Sequence, residues 1–275
     1  MKIREIEKYL SSLGVDNPKG EAYLILEKLF NESRASLLLC GDKDFSSPEL
    51  DRLLSERKKR IPLQYLLGEW DFMGKTFYVT RDCLIPRADT EILVEKALKL
   101  VKAGADVADL CTGSGCIGIS IALYRPDIKS ITLMDISNGA LGVAERNVKR
   151  HSLEEKTALI LGDITKEMPN KRFDMIVSNP PYIPRGDIES LSCEVKNEPV
   201  LALDGGEDGL DIIRFLLGEG LSYLKDNGQM LIEFGYDQKK EMNHLLLEKQ
   251  TQGKIKSYEI LYDYGGNPRV AVAYK

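Results

Sequence analysis

The sequence predicts an α/β fold, in which a mostly parallel sheet is covered by helices and preceded by a smaller all-helical region. Two patterns support this prediction. From residue 89 onward, short apolar runs typical of strands alternate with helical stretches, and such alternation indicates parallel strands joined by helices. Over about the first 60 residues, apolar side chains recur only at helical spacing.

Three stretches near the N-terminus predict helices: IREIEKYLSSLGV, EAYLILEKLF and SSPELDRLLSERKKR. In the third, Ser47 is expected to cap the helix and Pro48 to occupy its first position. This helix ends in the basic run Arg57 to Arg60, which could contact nucleic acid. We favour a second interpretation, in which these four side chains complement the helix dipole and remain solvated.

The segment from Pro62 to Glu91 predicts a short hairpin that serves as a linker. Strands are then expected at residues 107–111, 130–136, 158–164, 173–180 and 228–235. Amphipathic helices should separate the first three strands and the last two. Two further runs, KSYEILYDY and RVAVAYK, lie too close together for a crossover helix and should form an antiparallel pair at the sheet edge. The expected boundaries are a helical domain over 1–67, a hairpin linker over 68–86 and the α/β domain over 87–275.

Composition limits the classes of function. The net charge of -5 over 275 residues gives no global basic field, which argues against non-specific nucleic-acid binding. The five cysteines form no CxxC pair and favour a reducing compartment. No apolar run approaches the ~20 residues of a membrane span, and the start MKIREIEKYL lacks a signal-peptide core. We therefore expect a soluble cytoplasmic protein without a metal site.

A glycine-rich turn follows the first strand of the α/β domain. Gly113, Gly115 and Gly118 match the pattern G-x-G-x-x-G, and Asp135 ends the next strand. Such glycines let the backbone approach a ligand, and such an acid can bind ribose hydroxyls. The motif alone does not separate a nicotinamide cofactor from S-adenosylmethionine (SAM), and a tight turn without a ligand is the structural alternative.

Two other acids favour SAM. Asp109 lies in the strand ahead of the loop, where it could organise the loop and face the cationic methionine end of SAM. Asp163 ends the third strand beside Ile164, where it could accept a hydrogen bond from an adenine amino group. Each acid alone could be a helix cap or a solvated strand end. Together with Asp135 they lie at successive strand ends, where open α/β sheets bind ligands.

The fourth strand ends in Asn179, Pro180, Pro181 and Tyr182. These residues could form only a stiff turn, or they could hold a planar amino group. In the second case the Asn179 side-chain oxygen and the Pro180 carbonyl accept from the two hydrogens, and the Tyr182 ring stacks on the group. Catalysis would then rest on positioning and electrostatics, without a general base.

The segments DLCTGSGCIG, MDIS, GDI and NPPY, in this order, resemble class I SAM-dependent methyltransferases. IPRADTE, EPVLALDGGEDGLDIIR and DYGGNPRVAV further resemble the PrmC/HemK family of peptide chain release factor glutamine methyltransferases. The resemblance covers essentially the whole chain. It implies a Rossmann-like, seven-stranded methyltransferase sheet that is mostly parallel with an antiparallel edge strand.

The resemblance also implies the reaction. A methyl group would pass from SAM to the side-chain amide nitrogen (N5) of the glutamine in the Gly-Gly-Gln motif of class I release factors, leaving S-adenosyl-L-homocysteine. Residues 179–182 would hold that amide, and the helical domain would dock the release factor. We expect a monomer without a direct nucleic-acid or membrane partner. The residues expected to contact SAM are Asp109, Cys111, Thr112, Gly113, Ser114, Gly115, Asp135, Asp163, Ile164 and Asn179.

The sequence departs from the family pattern at two positions. Cys111 stands where the family commonly has glycine, and Ala88 replaces a common proline in IPRADTE. Arg87 and Glu198 could order a loop over the site, and a structural salt bridge is the favoured interpretation of that pair.

Other functions remain open from the residues alone. A nucleic-acid amino methyltransferase would use the same NPPY, although basic and acidic residues nearly balance over residues 1–60. Methylation of a ribosomal protein glutamine requires the same chemistry. A nicotinamide-dependent oxidoreductase rests on the glycine pattern, and a non-enzymatic adaptor would merely keep the fold.

Overall fold

The structure, a computed structural model, describes residues 1–39 and 43–275. Cys40, one of the five cysteines, lies outside the described residues. The chain divides into two compact units. The helical unit comprises Met1–Gly68 and Cys193–Asn197, and the sheet unit comprises Glu69–Ser192 and Glu198–Lys275.

The helical unit packs its helices around apolar side chains such as Ile6, Leu26 and Leu53. The Ser47 hydroxyl accepts a hydrogen bond from the Leu50 amide at 3.0 Å, which confirms the predicted N-cap. Two helices of five and six residues were not predicted, because so short a segment shows no clear period. The helices are α1 (Ile3–Ser12), α2 (Pro18–Phe30), α3 (Arg34–Leu39), α4 (Pro48–Lys58) and α5 (Leu63–Leu67).

The basic run at the end of α4 is not a solvated cluster. Arg57 is only 2% exposed, and its guanidinium donates to Glu21 at 2.8 and 2.9 Å and to Glu194 at 3.1 Å. Arg60 is half-buried and also donates to Glu194, at 2.7 Å. Only the two lysines between them are exposed. The prediction of four solvated side chains was therefore wrong for Arg57, because a guanidinium can be buried when carboxylates pair with it.

The sheet unit contains a two-stranded hairpin and a seven-stranded sheet. The hairpin, at the predicted linker, is formed by β1 (Glu69–Phe72) and β2 (Lys75–Tyr78). The large sheet has the order β5-β4-β3-β6-β7-β9-β8. Its strands are β3 (Asp106–Leu110), β4 (Ser130–Asp135), β5 (Thr157–Leu161), β6 (Phe173–Ser178), β7 (Leu224–Glu233), β8 (Ser257–Tyr262) and β9 (Pro268–Tyr274).

The strand directions confirm the predicted fold class. Strands β3 to β7 pair in parallel, whereas β9 is antiparallel to both β7 and β8. The last two strands thus form the predicted antiparallel pair at the edge, with β9 on the inner side. The strand order reverses between β3 and β6, and open α/β sheets bind ligands beside such a point.

Helices cover the sheet over two apolar cores. Helices α6 to α8 contribute to one core, and α9 and α10 contribute to the other. Residues 116–122 of α7 are all buried, so the prediction of an amphipathic helix was wrong here. The helix packs against the sheet and against both neighbouring helices. No helix among the described residues is long and apolar enough to cross a membrane. The helices are α6 (Glu91–Leu100), α7 (Cys116–Tyr124), α8 (Asn138–Arg150), α9 (Asp211–Leu217) and α10 (Lys239–Thr251).

Candidate active site

A cavity of about 280 Å³ lies at the carboxyl edge of the large sheet, in the sheet unit. The strand register places Leu110 of β3 beside Met134 of β4 and Ser178 of β6, so the segments that follow these strands converge. Residues 111–114, 135–137, 162–165, 179 and 181 line the cavity. Most of the residues expected to contact SAM are therefore together at one edge.

The glycine loop joins β3 to α7 through an unusual backbone path. Cys111, Gly113 and Gly115 have φ angles of 59°, 55° and 80°, in the left-handed region that favours glycine. Hydrogen bonds from the Thr112 amide to the Met134 carbonyl, at 3.1 Å, and from the Gly115 amide to the Thr112 carbonyl, at 2.8 Å, fix this path. The φ angle of Cys111 gives a physical reason why glycine is common at this position.

Asp109 lies behind the loop and does not line the cavity. Its side chain is fully buried, and Oδ2 accepts hydrogen bonds from Thr112 Oγ1 at 2.7 Å and from the Gly118 amide at 2.9 Å. Oδ1 accepts none from the described residues. Burial raises the pKa of Asp109 to about 7. The carboxylate thus organises the loop, as expected from its place in the strand.

Asp135 and Asp163 both line the cavity, in different environments. Asp135 Oδ2 accepts from the Gly113 amide at 2.8 Å, and burial raises the pKa of its carboxyl group. Asp163 accepts from the Thr165 hydroxyl at 2.7 Å and pairs with Lys166 at 2.9 Å. These two contacts lower the pKa of Asp163 to about 2, so it remains ionised at neutral pH.

The NPPY segment follows β6 directly. Asn179 lines the cavity, and its Nδ2 donates to Thr90 Oγ1 at 3.2 Å, which leaves its Oδ1 available as an acceptor. Pro180 is buried, and no amide among the described residues donates to its carbonyl outside regular secondary structure. Pro181 lines the cavity, whereas Gly115, Pro180 and Tyr182 do not. The Tyr182 hydroxyl instead donates to Glu233 at 3.4 Å.

A second glycine-rich segment, DGGEDG at residues 204–209, packs closely against the backbone of the NPPY segment. A side chain at Gly205 would come within 2.8 Å of the Pro181 carbonyl oxygen, and one at Gly209 within 2.2 Å of the Tyr182 carbonyl oxygen. The Gly205 amide also donates to the Ile183 carbonyl at 2.9 Å. Sequence reasoning gave this segment no structural role, although its repeated glycines were a signal of close backbone approach.

Asn147 was missed entirely. It is fully buried on α8, and its Nδ2 donates to the Ser114 carbonyl at 2.8 Å and to the Tyr78 carbonyl at 3.0 Å. Its Oδ1 accepts from the Tyr78 amide at 2.7 Å. One side chain thus ties the hairpin to the glycine loop, and no sequence motif marked it.

Arg87 and Glu198 form the expected salt bridge. Glu198 is 4% exposed, and its Oε2 also accepts from the Ile85 amide at 3.0 Å. Arg87 and the residue after Glu198, Pro199, both line the cavity. The pair therefore joins two segments of the cavity wall.

Comparison with known proteins gives the class of this fold and site. The family model for the methyltransferase small domain matches residues 88–195, and that for the PrmC N-terminal domain matches residues 2–68. A crystal structure of a methyltransferase from Pyrococcus furiosus has the same fold, with a TM-score of 0.54 at 18% identity, over 74% of this chain and 90% of that one. The protein is a methyltransferase.

Closer relatives define the family. The chain is 40% identical over 234 residues to a release factor glutamine methyltransferase of Geobacter sulfurreducens, covering 84% of this chain and 81% of the relative. It is 36% identical over 276 residues to one of Moorella thermoacetica, covering 98% and 96%. The chain belongs to the release factor glutamine methyltransferase family.

Proposed function

We propose that this protein transfers a methyl group from SAM to the side-chain amide nitrogen (N5) of the glutamine in the Gly-Gly-Gln motif of class I peptide chain release factors. Relatives named for this activity match nearly the whole chain. The observation that carries the proposal within the site is the orientation of Asn179, whose amide nitrogen donates to Thr90 and whose oxygen is left as an acceptor.

The residues around the cavity fit SAM. Gly113 lines the cavity, and a Cβ added to it would meet nothing within 4 Å, so its backbone faces open space. Asp135 also lines the cavity, where its carboxyl group can accept hydrogen bonds from a ligand, while Asp109 holds the glycine loop through Thr112 and Gly118. SAM, when bound, supplies a methyl group on a positively charged sulfur. Residues 111–114, Asp135, Ile164 and Asn179, which line the cavity, would hold it, and Gly115 would shape the loop behind them.

The NPPY segment would orient the substrate amide. The nitrogen lone pair of an amide is delocalised into its carbonyl, so this nitrogen is a weak nucleophile. Asn179 Oδ1 and the Pro180 carbonyl would accept from its two hydrogens, which orients the nitrogen and favours a localised lone pair. Positioning and electrostatics of this kind require no general base if the proton leaves after methyl transfer.

The two units suggest a division of tasks. We assign recognition of the release factor to the helical domain, predicted as residues 1–67, and methyl transfer to the domain predicted as 87–275, with 68–86 as linker. We further propose that the protein acts as a cytoplasmic monomer without nucleic-acid or membrane partners. The near balance of charge over residues 1–60 supports a protein partner.

One assay tests the substrate. The protein is incubated with methyl-labelled SAM and a class I release factor, either wild type or with the motif glutamine replaced by alanine. We expect label only in the wild-type factor, with a single methyl group on that glutamine by mass spectrometry. Label independent of the glutamine would refute the assignment, as would preferential labelling of ribosomal protein or nucleic acid supplied in the same reaction.

Asn179→Ala tests the role of NPPY. The variant should lower kcat by about 100-fold or more, because an acceptor for the reacting group is lost. SAM affinity, measured by calorimetry, should change much less. A comparable loss of SAM affinity would make Asn179 chiefly a residue of the SAM site.

A further inference from the structure

The backbone of the NPPY segment accepts a hydrogen bond from a buried side chain, Gln238. This residue directly precedes α10 and is only 7% exposed. Its Nε2 donates to the Tyr182 carbonyl oxygen at 2.9 Å, and its Oε1 accepts from the Gly235 amide at 2.9 Å. Turning the side-chain amide over would set donor against donor and acceptor against acceptor. Gln238 therefore presents a donor of fixed direction to the backbone of NPPY.

The Tyr182 carbonyl fits into a space that only a glycine leaves open. A Cβ added to Gly209 would come within 2.2 Å of this carbonyl oxygen and within 2.5 Å of Gln238 Nε2. Gln238 Nε2 also donates to the Gly209 carbonyl at 3.3 Å. Outside regular secondary structure, no backbone amide of the described residues donates to the Tyr182 carbonyl. The side chain of Gln238 therefore supplies the hydrogen bond that this buried carbonyl needs.

The prolines of NPPY do not fix the Pro180 carbonyl by themselves. Each ring restricts φ, whereas the direction of a carbonyl group is set by ψ. Pro181 limits the ψ angle of Pro180 to a range of about 40°, within which the carbonyl oxygen still moves by roughly 0.7 Å. An error of about 1 Å at a reacting group can cost about 100-fold in rate. The segment therefore needs an anchor at each end.

Both anchors are present in the sheet unit. Before NPPY, Ser178 at the end of β6 pairs with Ile232 of β7. After it, Gln238 holds the Tyr182 carbonyl, and the Ile183 amide donates to the Leu203 carbonyl at 3.0 Å. Of the anchors after NPPY, Gln238 is the one that holds a residue of the motif itself.

We propose that Gln238 is a positioning residue, which holds the Tyr182 carbonyl so that the Pro180 carbonyl points at the substrate amide. This inference rests on the proposed function of NPPY. Gln238 does not line the cavity, so it acts on the reaction only through the backbone of the motif. Without its hydrogen bond, the Pro180 carbonyl turns within its remaining range, and one acceptor for the substrate amide is misplaced.

Two variants separate the donor from the acceptor of Gln238. Gln238→Met removes both groups at similar side-chain length. Gln238→Glu keeps the acceptor for Gly235; at pH 8.5, about four units above the usual pKa of a glutamate, its carboxylate only accepts, so the donor for Tyr182 is lost. Gln250→Glu is the matched control, since Gln250 in α10 also donates to a backbone carbonyl, that of Lys256, at 3.0 Å.

The first test needs no substrate. Tyr182 and Ile183 form the only Tyr-Ile pair in the sequence, so protein labelled with 13C-carbonyl tyrosine and 15N-isoleucine gives a single HNCO signal, from the Tyr182 carbonyl. Loss of a hydrogen bond moves a carbonyl signal upfield. At pH 8.5 we expect this shift in Gln238→Met and in Gln238→Glu, but not in Gln250→Glu. An unmoved signal in both Gln238 variants would overturn the proposal.

Kinetics at pH 8.5 and saturating SAM provide the second test. Both Gln238 variants should lower kcat for the release factor about 10- to 100-fold, because the acceptor is misplaced. SAM affinity, measured by calorimetry, should change little, since Gln238 does not line the cavity. Gln250→Glu should keep wild-type kcat. Wild-type kcat in Gln238→Glu would overturn the role of the donor.

The outcomes separate the two levels of inference. Wild-type protein that fails to methylate the release factor would refute the proposed substrate, and the Tyr182 signal would still decide whether Gln238 holds this carbonyl. Methylation with unchanged kcat in both Gln238 variants would refute the positioning role alone. Parallel losses of kcat, SAM affinity and melting temperature would likewise overturn it and reduce Gln238 to a residue that stabilises the fold.

Discussion

Gly118 lies in the first turn of α7, where the helix packs directly on the sheet and its amide donates to Asp109 Oδ2 at 2.9 Å. A Cβ at this position would come within 2.5 Å of Leu133 Cδ2, 2.8 Å of Ile131 Cδ1 and 3.1 Å of Asp109 Cβ. Leu133, Ile131 and Asp109 are fully buried and cannot swing into solvent. Gly118→Ala should therefore push α7 away from the sheet.

The size of the effect follows from two opposing terms. Overpacking of a buried site costs about 1–3 kcal/mol, whereas replacing glycine by alanine in a helix contributes roughly 0.5–1 kcal/mol. All three distances lie well inside normal contact, so overpacking dominates. We expect a net loss of about 1–2 kcal/mol in the free energy of unfolding, or a melting temperature lower by roughly 2–8 °C.

Gly142 supplies the matched control. It lies in α8, is exposed, and a Cβ added to it would meet nothing within 4 Å. Gly142→Ala should stabilise the protein by about 0.5–1 kcal/mol. Urea unfolding of both variants checks the opposite signs, and calorimetry should show weaker SAM binding only for Gly118→Ala. If Gly118→Ala were as stable as Gly142→Ala, the argument from close packing would be wrong.

Three further substitutions test the surroundings of the cavity. Cys111→Gly removes a side chain from a residue in the left-handed region, and the relief of roughly 1 kcal/mol of backbone strain should offset the lost burial of the thiol. A loss above about 2 kcal/mol in the free energy of unfolding, measured by thermal unfolding, would contradict this. Because burial raises the pKa of Asp109 to about 7, wild-type stability should fall as pH rises from about 4 to about 7 and then level off. Asp109→Asn should remove up to about 3 kcal/mol of the fall between pH 5 and pH 8, as measured by urea unfolding. An unchanged fall would exclude Asp109 as its source. Glu198→Ala leaves the buried Ile85 amide without its acceptor and should lower the free energy of unfolding by about 1–3 kcal/mol, as measured by thermal unfolding. Glu198→Gln keeps an acceptor and should retain most of this stability. Equal losses in the two variants would assign the effect to the ion pair alone.

The fold could be predicted from the sequence because its main elements have strong periods and clear ends. All seven predicted strands of the large sheet are present, and the absence of a crossover before β9 was enough to predict its antiparallel pairing. Helix α7 was harder, because a helix buried on all sides has no polar face to reveal its orientation. Arg57 was misinterpreted because its partner Glu194 lies 137 positions away along the chain.

The residues of the site likewise fall into those that the sequence could predict and those that it could not. Residues that approach the cavity by local chain geometry, such as Gly113, Asp135 and Asn179, belong to short motifs and were found. Asn147 acts through contacts with distant segments, and one asparagine in a helix has no pattern of its own. Its role depends on which segments the fold brings together.

The five residues Cys193–Asn197 belong to the helical unit although they follow NPPY in the chain. Glu194, in this short segment, is one of two carboxylates that neutralise the buried guanidinium of Arg57. A fragment ending at residue 68 would contain Arg57 and Glu21 but would lack Glu194, the second of these two carboxylates. Residues 1–68 are therefore not a complete folding unit, and their fusion to another protein should give a less stable fold. Substitutions at Arg57 and at Glu194 should depend on each other, although the two residues lie far apart in the chain.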